Sequence, residues 1–149
     1  MNTILVTGAA GFIGSNFTRI ALSRGYRVIG FDSLTYAGHR ENLEDLPRKE
    51  NFELVVADIR NGNALETAFS RFHPIAVLNF AAESHVDRSI HGPADFVQTN
   101  VLGTFNLLES VRNYWGRLPA DQKSSFRFVH VSTDEVYGSL RADDPPFAE

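Results

Sequence analysis

The 149-residue chain contains no cysteine, which excludes disulfide bonds, thiolate metal ligands and a cysteine nucleophile. It also has little net charge: charged residues make up 21% of the chain, and the formal net charge is −4. A weakly acidic chain is a poor partner for nucleic acid or an anionic membrane. The sequence has no apolar run of about eighteen residues, and its start, MNTILVTGAAGFIG, resembles no signal peptide. We therefore expect a cytoplasmic protein that binds neither nucleic acid nor membrane.

Short apolar runs alternate with helical patterns along the chain, and hydrophobic residues make up 43% of it. Strands are predicted at Ile4–Thr7, Tyr26–Phe31, Phe52–Ala57, Ile75–Phe80 and Phe126–Val131. Helices are predicted at Phe12–Ser23, near Arg40–Leu46, at Asn63–Phe72 and from Pro93 to about Trp115, with loops at Leu118–Ser125 and Arg141–Glu149. This alternation predicts one α/β domain over residues 1–149: a Rossmann-type, doubly wound parallel sheet with helices on both faces, incomplete at the C-terminal side.

Three glycines, Gly8, Gly11 and Gly14, lie in TGAAGFIG between the first strand and the first helix. Small residues there permit a tight turn, close approach of the backbone to a pyrophosphate, and close packing of helix on strand. The free N–H groups of the helix N-terminus favour the same anion. Together with Asp32 at the end of the second strand, the turn predicts a dinucleotide site. The alternative is a structural turn in a flavodoxin-like protein.

The identity of the dinucleotide depends on Asp32, whose carboxylate can accept hydrogen bonds from the adenosine ribose hydroxyls. The same carboxylate would repel the 2′-phosphate of NADP. The next residues, Ser33, Leu34 and Thr35, include no arginine that could receive that phosphate, although Arg40 lies farther along. The pattern therefore predicts NAD.

Two further segments follow strands at the same predicted edge of the sheet. Asp58-Ile59 could flank the adenine, with the carboxylate accepting from its amino group, or Asp58 could cap the next helix. The small residues of Phe80–Ala82 would let a cofactor pass close to the backbone. The Ser, His, Asp and Arg of Glu83–Arg88 form either a functional cluster or a capped, solvated loop. No second ligand stands at metal spacing from His85, so no metal site is predicted.

The segment Ser132–Glu135 follows the fifth strand. Adjacent acids after a buried apolar strand are costly to desolvate unless they are used or paired. Their environments can diverge, so that Asp134 and Glu135 could serve as an acid and a base. The Thr133 hydroxyl could bond a sugar oxygen. The alternative is a polar loop capped by Asp134.

Four segments carry a family resemblance that runs through essentially the whole chain. They are TGAAGFIG, DSLTYAG (Asp32–Gly38), FAAESHVDRSI (Phe80–Ile90) and HVSTDEVYG (His130–Gly138). They resemble the dTDP-glucose 4,6-dehydratase family of extended short-chain dehydrogenases/reductases. The resemblance implies a nucleotide-sugar substrate, tightly bound NAD and a homodimer. It also implies oxidation at sugar C4, elimination of water across C5 and C6, and return of the hydride to C6.

The resemblance also implies residue roles. Glu135 would remove the C5 proton, Asp134 would protonate the departing C6 hydroxyl, and Thr133 would hold the C4 oxygen. Ser84 and His85 would contact the substrate. The implied cofactor positions are Gly8, Gly11, Phe12, Ile13, Gly14, Asp32, Ser33, Leu34, Thr35, Asp58, Ile59, Phe80, Ala81, Ala82, Ser84 and Thr99.

One family feature is missing: the tyrosine and lysine, four residues apart, that oxidise C4. None of Tyr26, Tyr36, Tyr114 and Tyr137 has a lysine four positions later. We therefore expect the chain to match the N-terminal portion of the family, without the substrate-binding part, and alone to bind NAD weakly without turnover. The alternatives are another nucleotide-sugar epimerase, dehydratase or decarboxylase, or a non-catalytic NAD-binding module. The acid pair counts against an epimerase.

The helix from Pro93 carries apolar residues over a wider arc than one sheet-facing stripe needs. Gly103 inside it costs about 1 kcal/mol relative to alanine, which indicates a close backbone contact. By resemblance this helix would belong to a dimer interface. The alternative is burial between the sheet and a neighbouring helix.

Overall fold

The computed structural model describes residues 1–46 and 51–148. Five strands, all paired in parallel, form one sheet in the order β3-β2-β1-β4-β5. They are β1 (Thr3–Thr7), β2 (Arg27–Asp32), β3 (Phe52–Val56), β4 (Ala76–Asn79) and β5 (Arg127–His130). Each predicted strand is confirmed to within one residue at either end, and the α/β sheet is the predicted one.

The helices are α1 (Phe12–Ser23), α2 (Gly62–Phe72), α3 (Val86–His91), α4 (Pro93–Phe96), α5 (Thr104–Arg117) and α6 (Ala120–Ser125). A π-helical segment, Val97–Gly103, joins α4 to α5, so the predicted long helix from Pro93 is confirmed as one continuous helical run. Short 3-10 turns cover Arg40–Leu43 and Asp134–Tyr137. The predicted C-terminal loop is confirmed over residues 141–148, and Glu149 lies outside the described residues. Across the described ranges, no helix has the length and apolarity to cross a membrane.

The core lies on both faces of the sheet because successive strand residues point to opposite sides. On β1, Leu5 joins the cluster formed with α2 and α5, whose members include Leu65, Phe69, Leu107 and Val111. Its neighbours Ile4 and Val6 join the opposite cluster, with Ala21 of α1. The fold is therefore doubly wound, as the sequence pattern predicts.

The prediction of a loop at Leu118–Ser125 is wrong, because Ala120–Ser125 forms α6. Pro119 precedes this helix as its N-cap, with a φ of −58° that lies in the range fixed by the proline ring. The indole Nε1 of Trp115 donates to the carbonyl oxygen of Lys123 at 3.2 Å. A tertiary contact from α5 thus stabilises a helix too short for hydrophobic periodicity to reveal.

Gly103 confirms the predicted close backbone contact. A Cβ placed on this glycine would lie 2.9 Å from both Cγ1 and Cδ1 of Ile59, in the segment after β3. Asn106, one turn along, donates from Nδ2 to the carbonyl oxygen of Ile59 at 2.6 Å. The helical run beyond β4 is therefore fixed against the end of β3.

The strand order creates a switch point between β1 and β4. From β1 the chain winds outward through β2 and β3, then crosses back to place β4 on the other side of β1. The connections that leave β1 and β4 run in opposite directions, so a crevice opens outside the carboxyl ends of these two strands. Ligands bind in this crevice in sheets of this kind.

Candidate functional site

A cavity of about 300 Å³ lies at the carboxyl edge of the sheet, at this switch point. Predicted cofactor residues that line it are Gly8, Gly11, Asp32, Ser33, Thr35, Asp58, Ile59, Phe80, Ala81, Ala82 and Thr99. Those outside its lining are Phe12, Ile13, Gly14, Leu34 and Ser84. The structure thus brings the ends of β1, β2, β3 and β4 to one cavity.

The glycine turn has the geometry that its residue types require. Gly8 has a positive φ of 64°, and its N–H donates to the carbonyl oxygen of Phe31 at 2.9 Å. A Cβ on Gly8 would lie 2.7 Å from the Ala81 nitrogen, and one on Gly14 would lie 2.0 Å from the Gly8 oxygen. The turn therefore has no room for side chains at either position.

The N-terminus of α1 begins directly after this turn. Its N-cap is Gly11, which has no side chain to cap the helix, and the first turn contains no acidic residue. The first N–H groups of a helix have no intrahelical partner, and the helix dipole favours an anion there. Phe12 and Ile13 expose 90% and 60% of their surface, and neither lines the cavity.

Asp32 is buried at the end of β2, with 7% of its surface exposed. Its Oδ2 accepts from the Ala10 N–H, and its Oδ1 from the Leu34 N–H, both at 2.8 Å. The carboxylate thereby joins the glycine turn to the segment after β2. Because each carboxylate oxygen has a second lone pair, Asp32 can still accept from a ligand in the cavity.

Asp58 pairs with Arg60 at the β3 side of the cavity, with Arg60 Nη2 2.7 Å from Asp58 Oδ2. The Arg60 N–H also donates to Asp58 Oδ1 at 2.8 Å. Burial raises the pKa of the Asp58 carboxyl, but the hydrogen bonds from Arg60 outweigh it and hold the pKa below its usual range. The cap of α2 is Asn61, which accepts from the Ala64 N–H at 3.1 Å. The alternative that Asp58 caps this helix is therefore wrong.

The opposite wall of the cavity includes Glu83, a residue held by Asn100 of the π-helical segment. The Glu83 N–H donates to Asn100 Oδ1, and Asn100 Nδ2 donates back to the Glu83 carbonyl oxygen, each at 2.8 Å. Within the described part of the chain, Glu83 Oε2 is buried without a hydrogen-bond partner. Burial, and the Glu83 carboxylate from the facing wall, raise the pKa of Tyr36. An unpaired acceptor here fits a cavity that receives a polar ligand.

Ser84 and His85 follow Glu83 in the segment after β4. Ser84 is exposed outside the cavity, and His85 is the N-cap of α3, with its ring edge against Tyr36 at a centroid distance of 6.3 Å. The interpretation of Glu83–Arg88 as a solvated loop fails from Val86 onward, where α3 begins. The described residues hold no group of three or more histidine and carboxylate side chains that could ligate a metal.

The acid pair lies one strand farther on, after β5. Thr133 caps the 3-10 turn that contains both acids: its Oγ1 accepts from the Glu135 N–H at 3.3 Å and lies 3.2 Å from Asp134 Oδ1. The premise that a buried strand precedes the acids is wrong, because β5 is the outer strand and three of its four residues are exposed. The cap is Thr133, so the alternative of a loop capped by Asp134 is also wrong. Both acids are exposed.

A polar network, buried at Thr7 and Asn79, runs across three strands. Thr7 Oγ1 donates to Asn79 Oδ1, and Asn79 Nδ2 lies 3.0 Å from His130 Nδ1. The Ala81 N–H donates to Thr7 Oγ1 at 3.3 Å. The network therefore joins the ends of β1, β4 and β5 and links the cavity wall to the strand that precedes the acid pair.

Comparison with known families completes this picture. The sequence profile of the family described as GDP-mannose 4,6 dehydratase matches residues 5–149. The chain belongs to this family.

Its relatives include a curated dTDP-glucose 4,6-dehydratase from Xanthomonas campestris pv. campestris (strain B100). This relative is 56% identical over 140 residues, which cover 94% of the present chain and 40% of the relative. The chain therefore spans about 40% of the length of this curated relative.

Solved structures of enzymes with two different activities resemble this chain. A dTDP-glucose 4,6-dehydratase from Streptomyces venezuelae, with NAD and TYD bound, has 44% identity and a TM-score of 0.80, over 94% of this chain and 42% of that one. A UDP-glucose 4-epimerase from Thermus thermophilus, in complex with NAD, has 38% identity and a TM-score of 0.68, over 75% of this chain and 34% of that one. Of these two structures, the dehydratase matches more of the chain and at higher identity.

Some cavity residues were not among the predicted site residues. They are Phe31, Tyr36, Ala37, Gly38, Ala57, Arg60 and Asp95. Glu83 and Arg88 also line the cavity, and both belong to the segment Glu83–Arg88 in which the sequence indicated a functional cluster. One sequence signal was available for Tyr36, Ala37 and Gly38, which lie in the segment Asp32–Gly38 that carries the family resemblance. In the structure, a Cβ on Gly38 would lie 2.6 Å from Asp32 Oδ1. Tyr36 and Arg88 are far apart in sequence, and only the fold brings them together.

Proposed function

We propose that this chain is the cofactor-binding part of a nucleotide-sugar 4,6-dehydratase that converts dTDP-glucose to dTDP-4-keto-6-deoxyglucose and water. The observation that carries the proposal is the 56% identity to a curated dTDP-glucose 4,6-dehydratase over 94% of the chain. The cavity at the switch point supplies the place where its cofactor would bind.

The residues lining the cavity fit NAD. The glycine turn and the N-terminus of α1 would hold the pyrophosphate, and the remaining lone pairs of Asp32 would accept from the ribose. Asp58 and Ile59, which line the cavity after β3, would flank the adenine. When bound, NAD supplies a hydride acceptor for oxidation at sugar C4 and the hydride donor for reduction at C6.

The acid and base of the elimination would be Asp134 and Glu135. Elimination across C5 and C6 needs a base for the C5 proton and an acid for the departing hydroxyl a few ångströms apart, which adjacent residues can provide. We assign the base to Glu135, the acid to Asp134 and the C4 oxygen contact to Thr133. Ser84 and His85 would contact the substrate from the end of β4.

The rest of the site would come from the part of the relatives' length that this chain does not span. The relatives extend well beyond the shared 40% of their length. We place the tyrosine and lysine that oxidise C4, and the pocket for the nucleotide of the sugar donor, in that additional part. The 149 residues alone are then expected to bind NAD weakly and not to turn over.

Turnover of the full-length protein tests the proposal. Incubation with dTDP-glucose should yield a 4-keto product lighter by one water, with no net consumption of NAD. Glu135→Gln and Asp134→Asn should each reduce kcat by about a hundredfold or more, as removal of a general acid or base does. An unchanged substrate mass after prolonged incubation would reject the dehydratase assignment.

Two alternatives have specific support. The 38% identity to a UDP-glucose 4-epimerase favours an epimerase as the second candidate, and UDP-glucose converted to its C4 epimer would establish it. The other alternative is a non-catalytic NAD-binding module, because a cavity that fits NAD can bind it without any chemistry on a sugar. That alternative would hold if the full-length protein bound NAD but changed none of the nucleotide sugars offered.

We also propose that the full-length protein is a cytoplasmic homodimer. Val97, Val101 and Phe105 lie four residues apart and expose 52%, 59% and 62% of their surfaces, so they form an apolar stripe facing away from the sheet. Such a stripe is typical of a protein interface. Phe105→Glu should shift the mass measured by light scattering from dimer to monomer, whereas Glu109→Gln on the same helix should not. Cell fractionation tests the location.

A further inference from the structure

One contact joins the two sides of the crevice and belongs to none of the roles assigned above. The guanidinium carbon of Arg88, on α3, lies 3.9 Å from the ring centroid of Tyr36, in the segment after β2. Both residues line the cavity, and Tyr36 exposes 37% of its surface while Arg88 is exposed. Side chains that line a cavity and also reach solvent stand at its rim.

The position of this contact follows from the strand order. Tyr36 follows β2 and Arg88 follows β4, and these strands lie on opposite sides of β1. Two strand spacings separate them, roughly 10 Å. The contact therefore passes over the carboxyl end of β1, where the glycine turn begins.

Each end of the contact is anchored. On the β2 side, Asp32 accepts from the Leu34 N–H, two residues before Tyr36. On the β4 side, the reciprocal bonds with Asn100 fix Glu83 just before α3. The His85 ring packs edge-on against Tyr36 and adds a second contact across the same gap. Both segments are therefore held in place by hydrogen bonds, and the Arg88–Tyr36 contact between them is weaker than those bonds.

We propose that Arg88 and Tyr36 are cofactor-retaining residues, forming a latch across the switch-point crevice that must open before a dinucleotide can enter or leave. This inference rests on the proposed NAD site. A cation over an aromatic ring at an exposed position contributes about 0.5–1 kcal/mol, which corresponds to a two- to fivefold change in rate. A contact that must open for passage in either direction slows uptake and release alike and leaves the Kd nearly unchanged.

The test measures both rates on the full-length protein by stopped-flow fluorescence, with NADH as the probe and excess NAD as the chase. Arg88→Gln and Tyr36→Ala should each raise the association and dissociation rates about two- to fivefold. Because both changes break the same Arg88–Tyr36 contact, and Tyr36→Ala also removes the His85 contact, the double variant should gain no more than Tyr36→Ala alone. Tyr36→Phe keeps the ring face and should restore the rates toward wild type.

Matched controls separate the latch from other effects. Arg112→Gln removes an exposed arginine of α5 that pairs with Glu109, and should leave both rates unchanged. Arg88→Lys keeps a cation at this position and should leave both rates near those of wild type, and Tyr36→Ala tests the latch if Arg88→Gln folds poorly. Unchanged rates in Arg88→Gln and Tyr36→Ala would overturn the latch alone. So would a weaker Kd with an unchanged association rate, which would mean that the residues simply contact the cofactor. A wild-type protein that binds no NADH would overturn both the latch and the proposed function.

Discussion

The side-chain amide of Asn79, on β4, lies 3.0 Å from Nδ1 of His130, on β5. Asn79 is fully buried, and its oxygen accepts from the Thr7 hydroxyl on β1, so its nitrogen is the donor to the imidazole. His130 stands at the end of β5, two residues before the segment that carries the acid pair. The glycine-turn strand and the acid-pair strand are thus connected through one buried amide.

This connection predicts a specific loss of stability. Thr7→Val replaces the hydroxyl with an isosteric methyl group and leaves the buried Asn79 oxygen without its donor. The free energy of unfolding should fall by about 1–3 kcal/mol, the cost of an unsatisfied buried polar group. Urea denaturation measures it. Thr67→Val, at an exposed helical position, is the matched control and should change stability by no more than about 0.5 kcal/mol. A Thr7→Val protein as stable as wild type would show that the network contributes nothing.

The glycine turn should not tolerate even one methyl group at Gly14. A Cβ there would lie 2.0 Å from the Gly8 oxygen, so Gly14→Ala must displace either the turn or the start of α1. We expect NAD binding, measured by calorimetry, to be lost. Gly116→Ala, where a Cβ would meet nothing within 4 Å, should keep NAD binding and stabilise α5 by up to about 1 kcal/mol. Equal NAD affinities for the two variants would refute this account of the turn.

Asp32 should determine the choice between NAD and NADP. Asp32→Ala removes the proposed ribose acceptor and the partner of the Ala10 and Leu34 N–H groups. Loss of hydrogen bonds to a charged group costs about 1.5–3 kcal/mol, so NAD affinity should fall roughly ten- to a hundredfold. NADP affinity should fall less, because the repulsion of its 2′-phosphate disappears as well. Calorimetric titration with both dinucleotides decides this, and Asp121→Ala, at an exposed position on α6, is the control.

The Asp58–Arg60 pair predicts a pH dependence of stability. The pKa of Asp58 in the folded chain lies below its ordinary value of 3.8 because hydrogen bonds from Arg60 outweigh burial. A carboxyl with a lowered folded pKa stabilises the fold above its unfolded pKa, and that stabilisation disappears as the pH falls through the folded value. Asp58→Asn should therefore be less stable than wild type at neutral pH, and the difference should shrink below pH 3.8. Denaturation curves across this range check it, and a difference that stays constant with pH would contradict it.

Much of the fold follows from local patterns, while the site depends partly on long-range geometry. β1 and α1 have clear apolar periodicity bounded by glycine, so their limits could be predicted closely. The short helices α3 and α6 could not, because six residues carry too little periodicity and their stability comes from tertiary contacts.

The same distinction separates the predicted and unpredicted parts of the site. Gly8, Gly11 and Asp32 lie within one strand–turn–helix–strand unit, so their convergence follows from sequence spacing. The Tyr36–Arg88 contact joins segments on opposite sides of β1, which no local pattern reveals. The exposure of β5 depends on its place in the sheet order, and its apolar sequence alone indicated burial instead.

We propose that the full-length protein dehydrates dTDP-glucose through oxidation at C4, elimination, and reduction at C6. The most direct test supplies dTDP-glucose deuterated at C4 and locates the label in the product by NMR and mass spectrometry. Our account predicts a product that has lost one water and carries the deuterium at C6. Deuterium retained at C4 in a sugar of unchanged composition would contradict it.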